Sequence, residues 1–199
     1  MRPGRMATRL LLLSALALAL TATPALAKTK TVTKTFSSGT LTTPLVDNRL
    51  VAQAITVPKK ERGTVKDVDA LVRLNHTRDS DVFVALIGPQ PGRFANLTTD
   101  NGGSGQDFGS GANDCSGTST TFDDAAATAI TGLGTPAAPF AGSFKPQEPL
   151  SIFNGVQTTA AKTTKGVWWF VVGDDDVNET GTLGCVQLKI TYAKVVKKK

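Results

Sequence analysis

The 199-residue sequence predicts a small all-β domain, and three observations predict it. Apolar and polar residues alternate at period two in Val68–Leu74 and again in Val186–Tyr192. Two further runs, Asp81–Gly88 and Val167–Val172, are apolar on both phases and end at turn signals, as strands covered on both faces would. The long segment between them, Asp100–Gly142, is dense in Gly, Ser, Thr, Asn and Ala and carries no helix-period stripe of useful length.

The chain opens with Arg2, Arg5 and Arg9, an apolar run Leu10–Leu20 too short to span a bilayer, and Ala25-Leu26-Ala27. That order is the pattern of a secretory signal peptide over 1–27, cut after Ala27, rather than of an anchor. A soluble, secreted protein without a transmembrane segment is the expectation. Residues 28–48 are rich in Thr and Lys, which suggests a leader or a weakly held first strand, so that the domain proper covers 49–193 and a Lys-rich tail 194–199.

The formal net charge of +6 misleads. The excess sits in the signal segment, at Lys28, Lys30 and Lys34, and at Lys194 and Lys197–Lys199; the body between is mildly acidic. Nucleic acid is not expected as a partner, because no aromatic residues are interleaved with these terminal charges.

Along the body, Val68, Ala70, Val72 and Leu74 alternate with Asp67, Asp69 and Arg73, the pattern of a half-buried strand. In the last strand Val186, Leu188, Ile190 and Tyr192 face one way and Gln187, Lys189 and Thr191 the other. Cys115 and Cys185 make an even number in an oxidising compartment, so a disulfide is the default reading beside two free buried thiols. Cys185 lies on the polar phase, so a bond would strap the Cys115 loop across the outside of the closing strand, unless a bulge changes the phase.

Five separated segments then resemble one family. Asn75-His76-Thr77 with Asp81 and Leu86–Gly92 is similar to the "HT, D-L, L-x-S-P-x-G" signature of the P domain, or P/Homo B domain. Thr121-Phe122-Asp123-Asp124-Ala125 resembles its "TFDDEA" turn, and Phe144–Gly155 the stretch that follows. Gly166-x-Trp168-x-Phe170-x-Val172-x-Asp174 resembles "G-x-W-x-L-x-V-x-D", and Gly181-Thr182-Leu183 opens the last strand as the family's "G-x-L" does. Two departures are Val186, where the family usually has tryptophan, and a longer Cys115 loop. The resemblance implies a jelly-roll β-sandwich of the galactose-binding-like type. In proprotein convertases, kexin and bacterial subtilisin-like proteases, such a domain follows the catalytic domain, packs against it and supports its folding. It implies an accessory role beside a subtilisin-like protease, here for a stand-alone secreted protein.

The residues themselves offer little catalysis. A serine protease needs a nucleophile, a histidine base and an orienting aspartate; His76 is the single histidine and no serine lies in a nucleophile motif, so His76 reads as structural and no catalytic residue is expected. Asp174, Asp175, Asp176, Asn178 and Glu179 crowd one turn, and Asp79 and Asp81 start another strand on what could be the same rim. Calcium held by Asp79, Asp81, Asp174, Asp176 and Asn178 is one expectation there, a solvated acidic turn the other. Asn75, Asn96 and Asn178 head sequons that matter only in a glycosylating host. Trp168 and Trp169 alternate to opposite faces, so at least one is core, and the other could stack on a sugar. A carbohydrate-binding or cell-surface adhesion module on the same sandwich is therefore the alternative function, with a cell-surface glycan as partner.

Overall fold

The computed structural model describes residues 28–134, 137–161 and 165–196; the signal-peptide reading and the lysines at 197–199 fall outside them. Ten strands form two antiparallel-dominated sheets facing each other, with no α-helix among the described residues. The all-β reading holds, as a sandwich. None of the described helices is long and apolar enough to cross a membrane.

The first sheet has six strands. The core of it is β10 (Gly181–Val195) beside β4 (Thr64–His76), with β7 (Thr120–Phe122) and then β8 (Gly142–Phe144) beyond β4. On its other edge β10 pairs with β1 (Thr29–Ser37) along its C-terminal part and with β2 (Thr43–Leu45) along its start. The second sheet orders β3 (Arg49–Val57), β9 (Gly166–Asp174), β5 (Val82–Ile87) and β6 (Phe94–Thr98).

Alternation positions the core. Val68, Ala70, Val72 and Leu74 of β4 and Val186, Leu188, Ile190 and Tyr192 of β10 are all buried, facing Ile55, Val84, Leu86, Trp168, Phe170 and Val172 of the second sheet. Trp168 is completely buried, its indole N–H donating to the Thr158 carbonyl at 3.2 Å, with its ring 5.2 Å from that of Phe153.

Three expectations change. The domain begins before residue 49: of the two readings of 28–48, leader or first strand, the strand is the one seen, since Thr29–Ser37 pairs with β10 at nine successive positions and Val32 and Phe36 pack against the core. Its β-branched threonines suit a pleated edge even though they are not core residues. Lys34 and Lys194 are likewise not free tail charges: both reach the buried Glu61, at 2.6 and 3.1 Å, and Tyr192 donates to the same carboxylate at 2.6 Å. Finally, the polar phase of β4 is not exposed at Asp69 and Arg73, which are 3% and 2% accessible. Lys189 pairs with Asp69 at 2.7 Å, and a loop covers Arg73.

That loop is the strap foreseen from Cys185. Cys115 and Cys185 are bonded, 70 residues apart. A register shift does occur at Gly184, but it falls before Cys185 and leaves the alternation from Cys185 onward intact. A side chain at 184 would meet the Asn113 backbone oxygen at 2.3 Å, so glycine lets the strap lie flat on the strand. Beneath it, the Arg73 guanidinium donates to the carbonyls of Leu74, Phe108, Gly111 and Ala112 at 2.8–3.3 Å. Burial pulls the Arg73 pKa down, and Asp107 and Asp114 oppose this.

Candidate functional site

The sequence-selected residues first meet as joints between elements. His76 ends β4 and Asp174 ends β9, and their side chains, both fully buried, touch at 3.2 Å between Nε2 and Oδ2. Nδ1 stands 2.7 Å from the Arg78 carbonyl oxygen. Both ring nitrogens are thus engaged inside the protein, and the pair ties one sheet to the other. Gly181, opposite His76 in the ladder, leaves room for the ring: a side chain there would meet it at 2.4 Å. Asp124 accepts the backbone N–H groups of Leu150 and Ser151 at 2.8 and 2.7 Å, joining two other segments. Gly88 lies under the Phe153 ring, where a side chain would sit 2.9 Å from it.

The acidic residues collect at one end of the sheets but do not close around a point. Asp79 and Asp81 occupy a short 3-10 turn before β5, and both are buried. Asp174 is consumed by His76 and by the Asp176 N–H at 3.0 Å. Asp176 and Asn178 are exposed in the following turn, where Asp176 accepts the Val177 N–H and the Asn178 N–H donates to Asp47. Among the described residues, no three of His, Cys, Asp and Glu group as a metal site. Asp79 is the anomaly: it is fully buried, neither carboxylate oxygen has a hydrogen-bond partner, and the loop Gly102–Asp107 wraps it. Burial foremost, then the charge of Asp107, pushes its pKa up to about 8, and a long contact from the Asp107 backbone N–H only partly opposes them. Burial and Asp100 raise that of Asp175 as well.

The outer face of the four-stranded sheet is a second kind of site. The register sends Val51, Gln53 and Ile55, then Trp168, Phe170 and Val172, then Val82, Val84 and Leu86 inward. Their alternates point outward: Leu50, Ala52, Ala54 and Thr56 on β3; Val167, Trp169, Val171 and Gly173 on β9; Phe83, Ala85 and Ile87 on β5; Phe94 and Asn96 on β6. No residue in that set is charged. Leu50, Phe94 and Trp169 are 58%, 43% and 40% accessible, and Phe83, Ile87, Val167 and Val171 are partly exposed. A shallow hollow at one end is lined by Trp169, Val167, Ile87, Pro89 and Lys165.

This corrects the expectation that β5 is covered on both faces. β5 is central, flanked by β9 and β6, yet on its outer side Phe83 and Ile87 are partly exposed, with the small Ala85 buried between them. The signal was present, because a run apolar on both phases requires two apolar faces, but periodicity does not say what covers the second. Trp168 is the core member of the tryptophan pair and Trp169 the outer one.

No family model matches the chain, and no curated protein matches it in sequence. Among solved structures it is similar to the crystal structure of a serine protease of Aeromonas sobria in complex with a chaperone, with TM-score 0.46 and 12% identity over 83% of this chain and 28% of that one. It is also similar to the crystal structure of a serine protease of Aeromonas sobria, with TM-score 0.43 and 12% identity over 86% of this chain and 28% of that one. The chain thus spans under a third of the length of the proteins it matches.

Proposed function

We propose that this chain is a secreted, non-catalytic module that docks on a protein partner through the outer face of its four-stranded sheet. The observation that carries the proposal is that face: a largely apolar surface, polar only at Thr56 and Asn96 and without a charged residue among its outward positions, centred on Trp169 and Val171. Apolar patches of this kind on soluble proteins mark interaction surfaces, and an exposed tryptophan within one is a typical anchor. The resemblance to the P/Homo B domain supplies the partner class, a subtilisin- or kexin-type serine endopeptidase. It is supported by the way its separated motif residues interlock, His76 with Asp174 and Gly181, Asp124 with Leu150 and Ser151, Gly88 with Phe153. These contacts give the motif residues structural work and leave His76 no open nitrogen for a serine base.

Capture from the secreted fraction of the producing cell tests this, with the chain from Lys28 and its Trp169→Asp variant as parallel baits. Recovery of a serine endopeptidase by the first and not the second is the expected result. Retention of both on wall polysaccharide, with no protease recovered, would move the reading to the glycan-binding alternative. Casein cleavage by the pure protein, blocked by a serine-protease inhibitor, would overturn the non-catalytic assignment.

A further inference from the structure

The outer face of the four-stranded sheet has an internal symmetry. One row across the sheet is Ala52, Val171 and Ala85, directly opposite one another on β3, β9 and β5, with the small Ala85 sunk below its neighbours. Two residues to either side along each strand, the outward positions are Leu50 and Ala54, Gly173 and Trp169, and Phe83 and Ile87. On β3 and β9 a large residue at one end is therefore matched by a small one at the other, about a row in which two of three residues are alanine. At Gly173 the surface dips and the Leu50 side chain leans across it.

Charge follows the same axis. Beyond the Trp169 end, exposed Lys59, Lys60 and Lys165 and the partly exposed Arg93 flank the face; beyond the Gly173 end lie exposed Asp47, Asp100, Asp175 and Asp176, with the cations Arg49 and Arg78 among them, Arg78 already paired with Asp81 at 3.5 Å.

We propose that this face binds a second copy of the chain in a two-fold dimer. The axis lies in the interface, across the strands, over the Ala52–Val171–Ala85 row. Two ways of laying the face on itself keep a two-fold, and they differ in charge. An axis along the strands puts lysines on lysines and aspartates on aspartates. An axis across the strands reverses strand direction and sets each basic end on the acidic end of the other copy. The same operation keeps β9 over β9, so Trp169 of one copy meets Leu50 above Gly173 of the other, Leu50 lies over Ala54, and Val171 meets its own mate. Sheets packed face to face in this way stay close to aligned, which the small central row permits. The inference rests on reading this face as an interface, and it describes how the face is covered when the protein is alone.

Sedimentation equilibrium on the chain from Lys28, at about 100 µM and below, tests it. A dimer is expected. Trp169→Asp should weaken it at least about thirtyfold, as loss of a central aromatic anchor does, and added salt should weaken it as the charged ends are screened. Cysteine pairs read the geometry, since both native cysteines are already bonded. Val171→Cys should cross-link to itself on mild oxidation, and Leu50→Cys should cross-link with Ala54→Cys but not with itself. A monomer at about 100 µM overturns the inference, as does a dimer in which Val171→Cys fails to cross-link and Leu50→Cys joins its own copy. A monomer that still captures a protease refutes self-association alone, whereas a dimer that captures none refutes only the choice of endopeptidase as partner.

Discussion

Replacing Glu61 by glutamine should destabilise the fold by about 2 kcal/mol at pH 7, and by steadily less as the pH falls below 4.5. Glu61 is 5% accessible at the end of the sandwich, where Lys34 of β1, Tyr192 and Lys194 of β10 converge on its two oxygens. Their hydrogen bonds, Lys34's foremost, lower its pKa from 4.5 to about 2, against the opposing effect of burial. At about 1.4 kcal/mol for each tenfold change in proton affinity, that lowering corresponds to about 3 kcal/mol of stability. Lys34 is itself 45% exposed, so water screens part of its attraction, and about 2 kcal/mol is the expected remainder. The folded state binds the proton less tightly than the unfolded state. The stabilisation is therefore complete above pH 4.5 and disappears as the pH falls toward 2. Glutamine keeps the volume and an acceptor for Tyr192 but has no charge to lose. Urea titrations followed by tryptophan fluorescence, at pH 7 and at pH 3, measure the gap between the two proteins. A gap that is the same at both pH values, or one below about 0.5 kcal/mol at pH 7, would refute the reasoning.

Other changes read other joints. Replacing Cys115 and Cys185 together by alanine frees a 70-residue loop and should cost roughly 4 kcal/mol in denaturant titration by the chain-entropy model; hydrogen exchange should then increase at the Arg73 strap before it does elsewhere. Asp79→Asn should stabilise the protein at pH 8 by about 1–2 kcal/mol, because it removes a buried carboxylate that faces the like charge of Asp107 with no cation among the described residues to balance it. Its pKa is raised in the folded state, so the wild type loses stability as pH rises from 3.8 toward 8; the variant's advantage should shrink to nothing near pH 4. Asp124→Ala leaves the N–H groups of Leu150 and Ser151 without their carboxylate, and should lower stability by about 1–2 kcal/mol without changing the circular dichroism spectrum.

How much of this could be read in the sequence depends on what each residue meets. β4 and β10 were legible because one face is buried and every second residue declares it: Val186, Leu188, Ile190 and Tyr192 all point inward. The side of the strand on which Cys185 lies was legible for the same reason, the bulge at Gly184 falling just outside the alternating stretch. β1 was legible only as a weak strand, because its hold on the sheet comes mainly from backbone pairing with β10, which composition does not record. Arg73 looked solvent-facing since nothing local announces that carbonyls from residues 108–112 will roof it. The acidic turn left calcium and a solvated turn both open because five oxygen-bearing side chains fall within six positions, and composition does not show that the strand ends among them: Asp174 turns inward to His76 while Asp176 and Asn178 turn out. The outer sheet face was half legible, visible as apolarity on both phases of β5 and β9 and invisible as exposure.

Thr29 stands directly opposite Val195 in the ladder, so the described chain enters and leaves at the same corner of the sandwich. A pull applied through both ends would load that corner first and peel β1 from β10 one rung after another, rather than shear all nine pairs at once. Under such a load the hydroxyl contact between Thr33 and Thr191 is met first, and Lys34, held by Glu61, is the next side-chain anchor of β1. The grip on Glu61, a matter of acidity in a test tube, would also set the force at which the sandwich begins to come apart.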